Sequence, residues 1–274
     1  MTALLLLIAG LASPSYPWMA EHDFGPTVPL QAQFAPPTDF VRVTVAPGSF
    51  SAWLRTLPVR TDRTHVLAYN GDRLARPSAA IVALDVGKRD LQQCADTVIR
   101  LHAEYLWSVG KGAKAAYHFT SGDNSTWRAW QRGERFKIRG SKVVRVKRKR
   151  GNQGHAGYRR WLTHTFRYAG TQSLRYDSTP VGTRPYAAGD FFVQPGGPGH
   201  AVMLLDLAEH PDGRHAALIG QGFMPAEDLH VLTAAGDRVL NGVWFLLPDA
   251  EHPLLATPSW YPFEPKQARR FKQR

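Results

Sequence analysis

The chain has 274 residues, 43% hydrophobic and 20% charged, a balance that excludes a disordered polyelectrolyte and leaves room for a sizeable core. Lys and Arg number 34 against 22 Asp and Glu, and the net charge of +12 points to anionic surroundings: nucleic acid, lipid head groups or acidic envelope polymers. The single cysteine, Cys94, excludes an internal disulfide.

The first element is the apolar run from Leu4 to Ala9, followed by Gly10-Leu11-Ala12 and broken by Ser13-Pro14-Ser15. It has the hydrophobic core and small-residue end of a secretory signal peptide, without a preceding Lys or Arg. It is too short for a membrane-spanning helix, which needs about 20 residues. Residues 1–15 are therefore expected to be a signal peptide and the protein to be exported, periplasmic or extracellular; if the run is structural, the protein is cytoplasmic. Residues 16–38 are Pro-rich without periodicity and read as an irregular arm, and residues 39–274 as one α+β domain.

Within that domain, Val41 to Val45 alternates like a strand, and Ser49 caps a short helix over residues 50–55. Apolar runs at 65–69 and 79–84 flank Asn70-Gly71-Asp72 and predict two strands joined by a turn. The clearest helix spans 90–107, with Leu91, Cys94, Ala95, Val98, His102 and Tyr105 on one face. Asp96, Arg100 and Glu104 lie on the other side, where Asp96 can pair with Arg100 and Arg100 with Glu104. Asp90 is the expected cap, which sets Cys94 a full turn inside the helix. A strand is expected at 114–119, short helix at 124–130, basic strand or loop at 137–150 and helix at 155–169. After Gly189 the pattern turns to strands: 190–193, a hairpin of 200–207 and 215–220 around Pro211-Asp212-Gly213, and a last strand at 243–247 before a Pro-rich tail. Helices in the first half and an antiparallel sheet in the second make the class α+β.

Three features suit nucleophilic chemistry. Cys94 lies near a helix start, Gly189-Asp190 opens one strand, and Gly199-His200 opens the next, whose hairpin returns at Gln221. Antiparallel pairing sets His200 beside Gln221, giving a thiol, a base and an orienting amide. Asp190 and Asp206 are further candidates for the orienting role. Gln93, Asp190, Gly199 and Asp206 are the candidate binding residues.

This layout resembles the papain-like cell-wall amidases called NlpC/P60 and CHAP, whose pattern is a Cys at a helix start, a Gly-Asp strand, a Gly-His strand and a polar residue on the following strand. The resemblance implies a papain-like core of helices packed on an antiparallel sheet. It also implies a cysteine amidase or peptidase acting on an envelope substrate such as peptidoglycan peptides, with Cys94 as nucleophile, His200 as base and Gln221 orienting it. A second resemblance covers most of the chain. The strings Asp90-Leu91-Gln92-Gln93-Cys94-Ala95-Asp96, Tyr168-Ala169-Gly170-Thr171, Pro198-Gly199-His200-Ala201-Val202 and Met224-Pro225-Ala226 resemble a bacterial family described as domain of unknown function four-eight-four-six. That likeness implies a shared domain and carries no activity with it.

Bland readings stand beside these. Cys94 can be a small buried hydrophobe and His102 a packed core residue. His210, His215, His230 and His252 lack metal-ligand spacing, and no metal or cofactor is expected. Trp127, Trp130 and Trp161 can stack on sugars or bases or pack in the core. The basic run from Lys142 to Arg150 can bind phosphates or form a solvated edge, and no nucleic-acid motif accompanies it. The alternative function is a non-catalytic envelope protein that binds an anionic polymer or lipid through its basic surface.

Overall fold

The computed structural model describes residues 16–273 apart from 141 and 259; the expected signal peptide lies outside them. Mixed α and β structure is built around an antiparallel sheet of ten strands. They are β1 (Val41–Arg42), β2 (Ser78–Ile81), β3 (Ser178–Pro180), β4 (Phe191–Gln194), β5 (His200–Glu209), β6 (His215–Gln221), β7 (His230–Leu232), β8 (Val239–Leu240), β9 (Trp244–Leu246) and β10 (Ala268–Phe271). Across the sheet the order is β3-β10-β4-β5-β6-β7-β2, with β1 on the far end of β5, β9 on β6 and β8 on β9. Strand β5 is buried from His200 to Ala208 because it lies centrally with both faces covered, which explains its nearly unbroken apolar run. Three principal helices are α1 (Phe50–Arg55), α2 (Cys94–Ser108) and α3 (His155–Thr165), of which α2 packs on β5. No helix among the described residues is long and apolar enough to cross a membrane.

Helix α2 begins at Cys94, not near Asp90. The Gln93 N–H donates to Asp96 Oδ2 (3.3 Å), the return half of a capping box. Asp90 is used elsewhere: its Oδ1 accepts the Ala226 N–H (2.7 Å) and Gln93 Nε2 (2.8 Å). The charged side of the helix is buried as well, with Arg100 and Glu104 both inaccessible. Arg100 binds Glu104 (2.7 Å) and Asp85 (2.8 Å), while Glu104 receives His155 Nε2 (2.8 Å). Asp96 takes no part in these ion pairs.

Long-range pairing also replaces several local expectations. Val66–Leu67 pairs with Arg73–Leu74, while β2 joins β7 in the main sheet. Residues 124–126 form a strand against Ala116–His118 before the helix Trp127–Gln131 begins. The segment read as an irregular arm carries a 3₁₀ turn, a short strand and a helical turn, and it buries Trp18 and Leu30 completely. Strand β9 is not the last: Leu255–Thr257 pairs with Trp260–Phe263, and β10 inserts between β3 and β4.

Asp206, a candidate binding residue, sits at the opposite end of β5 from His200, just past a bulge between Leu204 and Asp206. Its inaccessible carboxylate accepts from Arg42 and Arg55, each at 2.8 Å, and from the Leu207 N–H. It therefore ties β1 and α1 to β5 and is a structural anchor. Asp206→Ala leaves two guanidinium groups without their shared carboxylate, and unfolding in urea is expected to show a loss of about 3–5 kcal/mol.

Burial pushes Glu104 up, but Arg100 and His155 outweigh it and hold the carboxyl below its usual range. Burial pulls His155 down, but its bond to Glu104 prevails and the imidazole ends raised. The raised imidazole contributes fully below its unfolded value of about 6.5, and the contribution is lost as pH rises through the folded value. The Glu104 contribution is lost as pH falls through its depressed folded value. The Tm gap between wild type and His155→Gln is therefore expected to be widest in mildly acidic solution and to shrink above neutrality.

Candidate functional site

The β5–β6 ladder is recorded from Met203↔Gly220 onward, so β5 begins beyond it with His200 and Ala201. Cys94, the first residue of α2, closes against this end of the sheet, near enough to the Ala201 N–H for that dipole to favour the thiolate. At a helix N-terminus the thiol faces N–H groups that lack intrahelical acceptors, and those of Cys94 and Ala95 are directed at it. Cys94 is 5% exposed. It lines a cleft of about 240 Å³ with Asp90, Gln93, Thr171, Met224 and the loop from Gly196 to Gly199. Burial pushes the thiol up to about 11, opposed by the Ala201 N–H.

His200 is completely buried under Phe223, Trp260 and Phe263, with ring centroids at 4.7, 5.1 and 6.3 Å. Its Nε2 lies 2.9 Å from Gln221 Oε1. Gln221 Nε2 lies 3.5 Å from His230 Nε2, and His230 Nδ1 lies 3.1 Å from the Asp228 carbonyl oxygen. Burial drives both imidazoles down to about 4, so both are neutral near pH 7.

The protons in this chain are then determined. A carbonyl oxygen can only accept, so His230 carries its proton on Nδ1 and offers a lone pair at Nε2. Gln221 must present its NH₂ to that lone pair, which turns Oε1 towards His200. His200 accordingly carries its proton on Nε2, and its buried Nδ1, which has no hydrogen-bond partner among the described residues, is a bare lone pair. A neutral imidazole in this tautomer is a base at Nδ1. Behind His230, Glu227 Oε1 lies 3.7 Å from Nδ1, and Glu227 Oε2 accepts Arg76 Nε at 2.8 Å. Burial raises this carboxyl to about 7.

Of the residues singled out in the sequence, His200 and Gln221 are brought into direct contact, and Cys94 and Gly199 lie at the same end of β5. Gln93 borders the cleft, but its amide is held by Asp90. Asp190 is absent from the site: its carboxylate is clamped by Arg270 and accepts the Ala187 N–H (2.8 Å), a loop-closing role. His102 is a core residue, stacked on Phe271 at 4.0 Å and bonded to the Tyr117 hydroxyl. Trp127 and Trp161 are core residues as well.

Sequence reasoning missed His230, weighed only as a metal ligand, together with Glu227 and the aromatic cover. No sequence motif marks His230: it is the pairing of the strand His230–Leu232 with β6 that places its imidazole opposite Gln221. The other three histidines of that group lie beside Asp212, Glu209 and Asp249 in separate ion pairs. Among the described residues no three His, Cys, Asp or Glu side chains converge as a metal site.

A family model described as domain of unknown function (4846) matches residues 30–270. No curated protein and no solved structure matches the chain.

Gly199 sets the position of His200. A Cβ there would lie 2.5 Å from Thr171 Oγ1, 2.7 Å from Gln194 O and 2.7 Å from Gly196 N. Two of these neighbours are backbone atoms and cannot rotate away. Gly199→Ala is expected to cost about 1–3 kcal/mol by overpacking. It should also slow thiol alkylation of the folded protein at Cys94 near neutral pH, measured by mass spectrometry, as His200 is displaced with the loop.

Proposed function

The chain belongs to this family, described as domain of unknown function (4846), and we propose from the site itself that it is a cysteine amidase or peptidase with a papain-like arrangement. The observation that carries the reading is the tautomer chain: a buried imidazole with Nε2 tied to an amide oxygen and Nδ1 bare, at the strand end against which a helix-terminal thiol packs. That is the division of labour a cysteine hydrolase requires.

With the thiol held at about 11 and the imidazole at about 4, the resting pair is neutral. The thiol, which makes no hydrogen bond to His200 at rest, must close on its Nδ1 to pass its proton there as the sulfur forms its bond to the substrate carbonyl carbon. The carbonyl π electrons move to oxygen, where the N–H groups at the start of α2 stabilise the charge. Collapse re-forms the carbonyl and expels the amine, which takes the proton from Nδ1. Water, deprotonated at the same nitrogen, then cleaves the thioester and returns the proton to sulfur. Gln221 keeps the ring oriented throughout, and His230 keeps Gln221 oriented.

The glycine-rich wall from Gly196 to Gly199 lets an extended backbone approach Cys94 closely. The apolar leader and basic composition favour an exported enzyme acting on an envelope amide, peptidoglycan peptides being the class to screen first.

The test is the rate of iodoacetamide labelling at Cys94 in the folded protein against pH. With His200 as base, labelling near neutrality is expected to exceed that of His200→Ala by about a hundred-fold, and Gln221→Ala is expected to lose less. Cys94→Ser should abolish hydrolysis of any muropeptide found in the screen. Labelling of wild type only after unfolding would overturn the enzyme and leave a non-catalytic binding protein.

A further inference from the structure

Residues Arg132 to Arg150 hold ten of the chain's 34 Lys and Arg and one of its 22 Asp and Glu, so about three-quarters of the net charge of +12 sits in this segment. Nearly all of it folds as a single hairpin, Glu134–Arg139 against Lys142–Lys147, about 20 Å long. The one acidic residue, Glu134, is shared by Arg132 (3.1 Å) and Arg145 (3.7 Å). Arg135 lies over the Trp130 ring at 3.4 Å and donates to two backbone carbonyls. Lys137, Arg139, Lys142, Lys147, Arg148, Lys149 and Arg150 are all exposed, and none has a carboxylate partner among the described residues.

The base of the hairpin is fixed. Phe136 is buried edge-on against Phe119 (4.8 Å), and the Arg148 N–H donates to Gly133 O at 2.8 Å. Gly133 has φ +93, and a Cβ on it would come within 2.1 Å of Arg148 O, so only glycine allows the two strands to close there. The far end is exposed, and it is not purely cationic. Ile138 is 49% exposed and pairs across the hairpin with the half-buried Val143, while its strand neighbours Lys137 and Arg139, with Lys142, alternate to the other face of the ribbon.

Cations alone would suit a nucleic acid or a soluble polyanion. An isoleucine held in solvent at the end of a hairpin whose other face is cationic suits a surface with anionic head groups above an apolar interior. We propose that the 134–147 hairpin is a docking surface for an anionic lipid bilayer, with Ile138 entering the head-group boundary while the long side chains of the lysines and arginines along both strands reach the phosphates. This inference is independent of the chemistry at Cys94.

The experiment is co-sedimentation of the protein with vesicles of phosphatidylglycerol in phosphatidylcholine, compared with phosphatidylcholine alone, over a range of salt. Soluble polyphosphate is tested both as a separate ligand and as a competitor. Binding is expected only to the anionic vesicles, weakening as salt rises. The Lys137→Gln/Arg139→Gln/Lys142→Gln variant is expected to lose about a hundred-fold in partitioning, at about ten-fold or less per charge. Ile138→Ser is expected to lose several-fold on vesicles and nothing on polyphosphate. All four side chains are exposed, so an unchanged Tm verifies that the variants are folded. Absence of binding at low salt, or vesicle binding indifferent to Ile138→Ser, would overturn the lipid surface; the latter outcome, with equal retention on polyphosphate, would make the hairpin a general polyanion site.

Discussion

A carbonyl oxygen cannot donate a hydrogen bond, and at Asp228 that restriction reaches across three side chains. It fixes the proton of His230, which fixes the amide of Gln221, which fixes the tautomer of His200. Each group is buried, so water cannot substitute for a partner and each wrong orientation leaves a buried polar group unsatisfied, at about 1–3 kcal/mol. The sheet makes this possible by pairing β6 with both β5 and β7, so that three polar side chains from three adjacent strands meet in a row. The low dielectric that makes the chain rigid also keeps both imidazoles neutral.

A second polar network lies at the other end of α2's charged face. Arg100, Glu104, Asp85, His155 and Arg159 hold one another in a nearly dry cluster between α2, α3 and the loop before α2. Such clusters add little net stability over an apolar core, yet they lose heavily when one member is removed. Here the cluster fixes the axial position of α2, which bears directly on where Cys94 meets β5. The fixed start of the helix and the fixed tautomer are thus separate constraints that converge on the same end of β5.

Much of this was legible from the sequence, and the failures have local causes. The β5–β6 hairpin was readable because the apolar runs Ala201–Leu205 and Ala216–Ile219 bracket a Pro-Asp-Gly turn. His200 and Gln221 follow from that pairing alone. The start of α2 was misplaced because Asp90 has the side chain of a cap, while its true acceptor role is towards Ala226, far along the chain. The Arg100–Glu104 pair was readable from its i,i+4 spacing, but that rule cannot see Asp85 or His155, which complete the cluster. Asp190 and Asp206 looked functional for the same reason: the arginines that neutralise them, Arg270, Arg42 and Arg55, are distant in sequence. His230 carried no motif, since its meaning lies in a strand register that periodicity does not report.

The placement of β10 has a kinetic meaning. The sheet is assembled from pieces far apart in the chain: residues 41–42 beside 208–209, 78–81 beside 230–232, and 268–271 wedged between 178–180 and 191–192. Each of these ladders must close a long loop before it gains any contact energy, the circumstance that makes a β topology slow to form. Residues 268–271 cover the hydrogen-bonding edge of β4 that does not face β5, an edge that would otherwise be open to pairing with another chain.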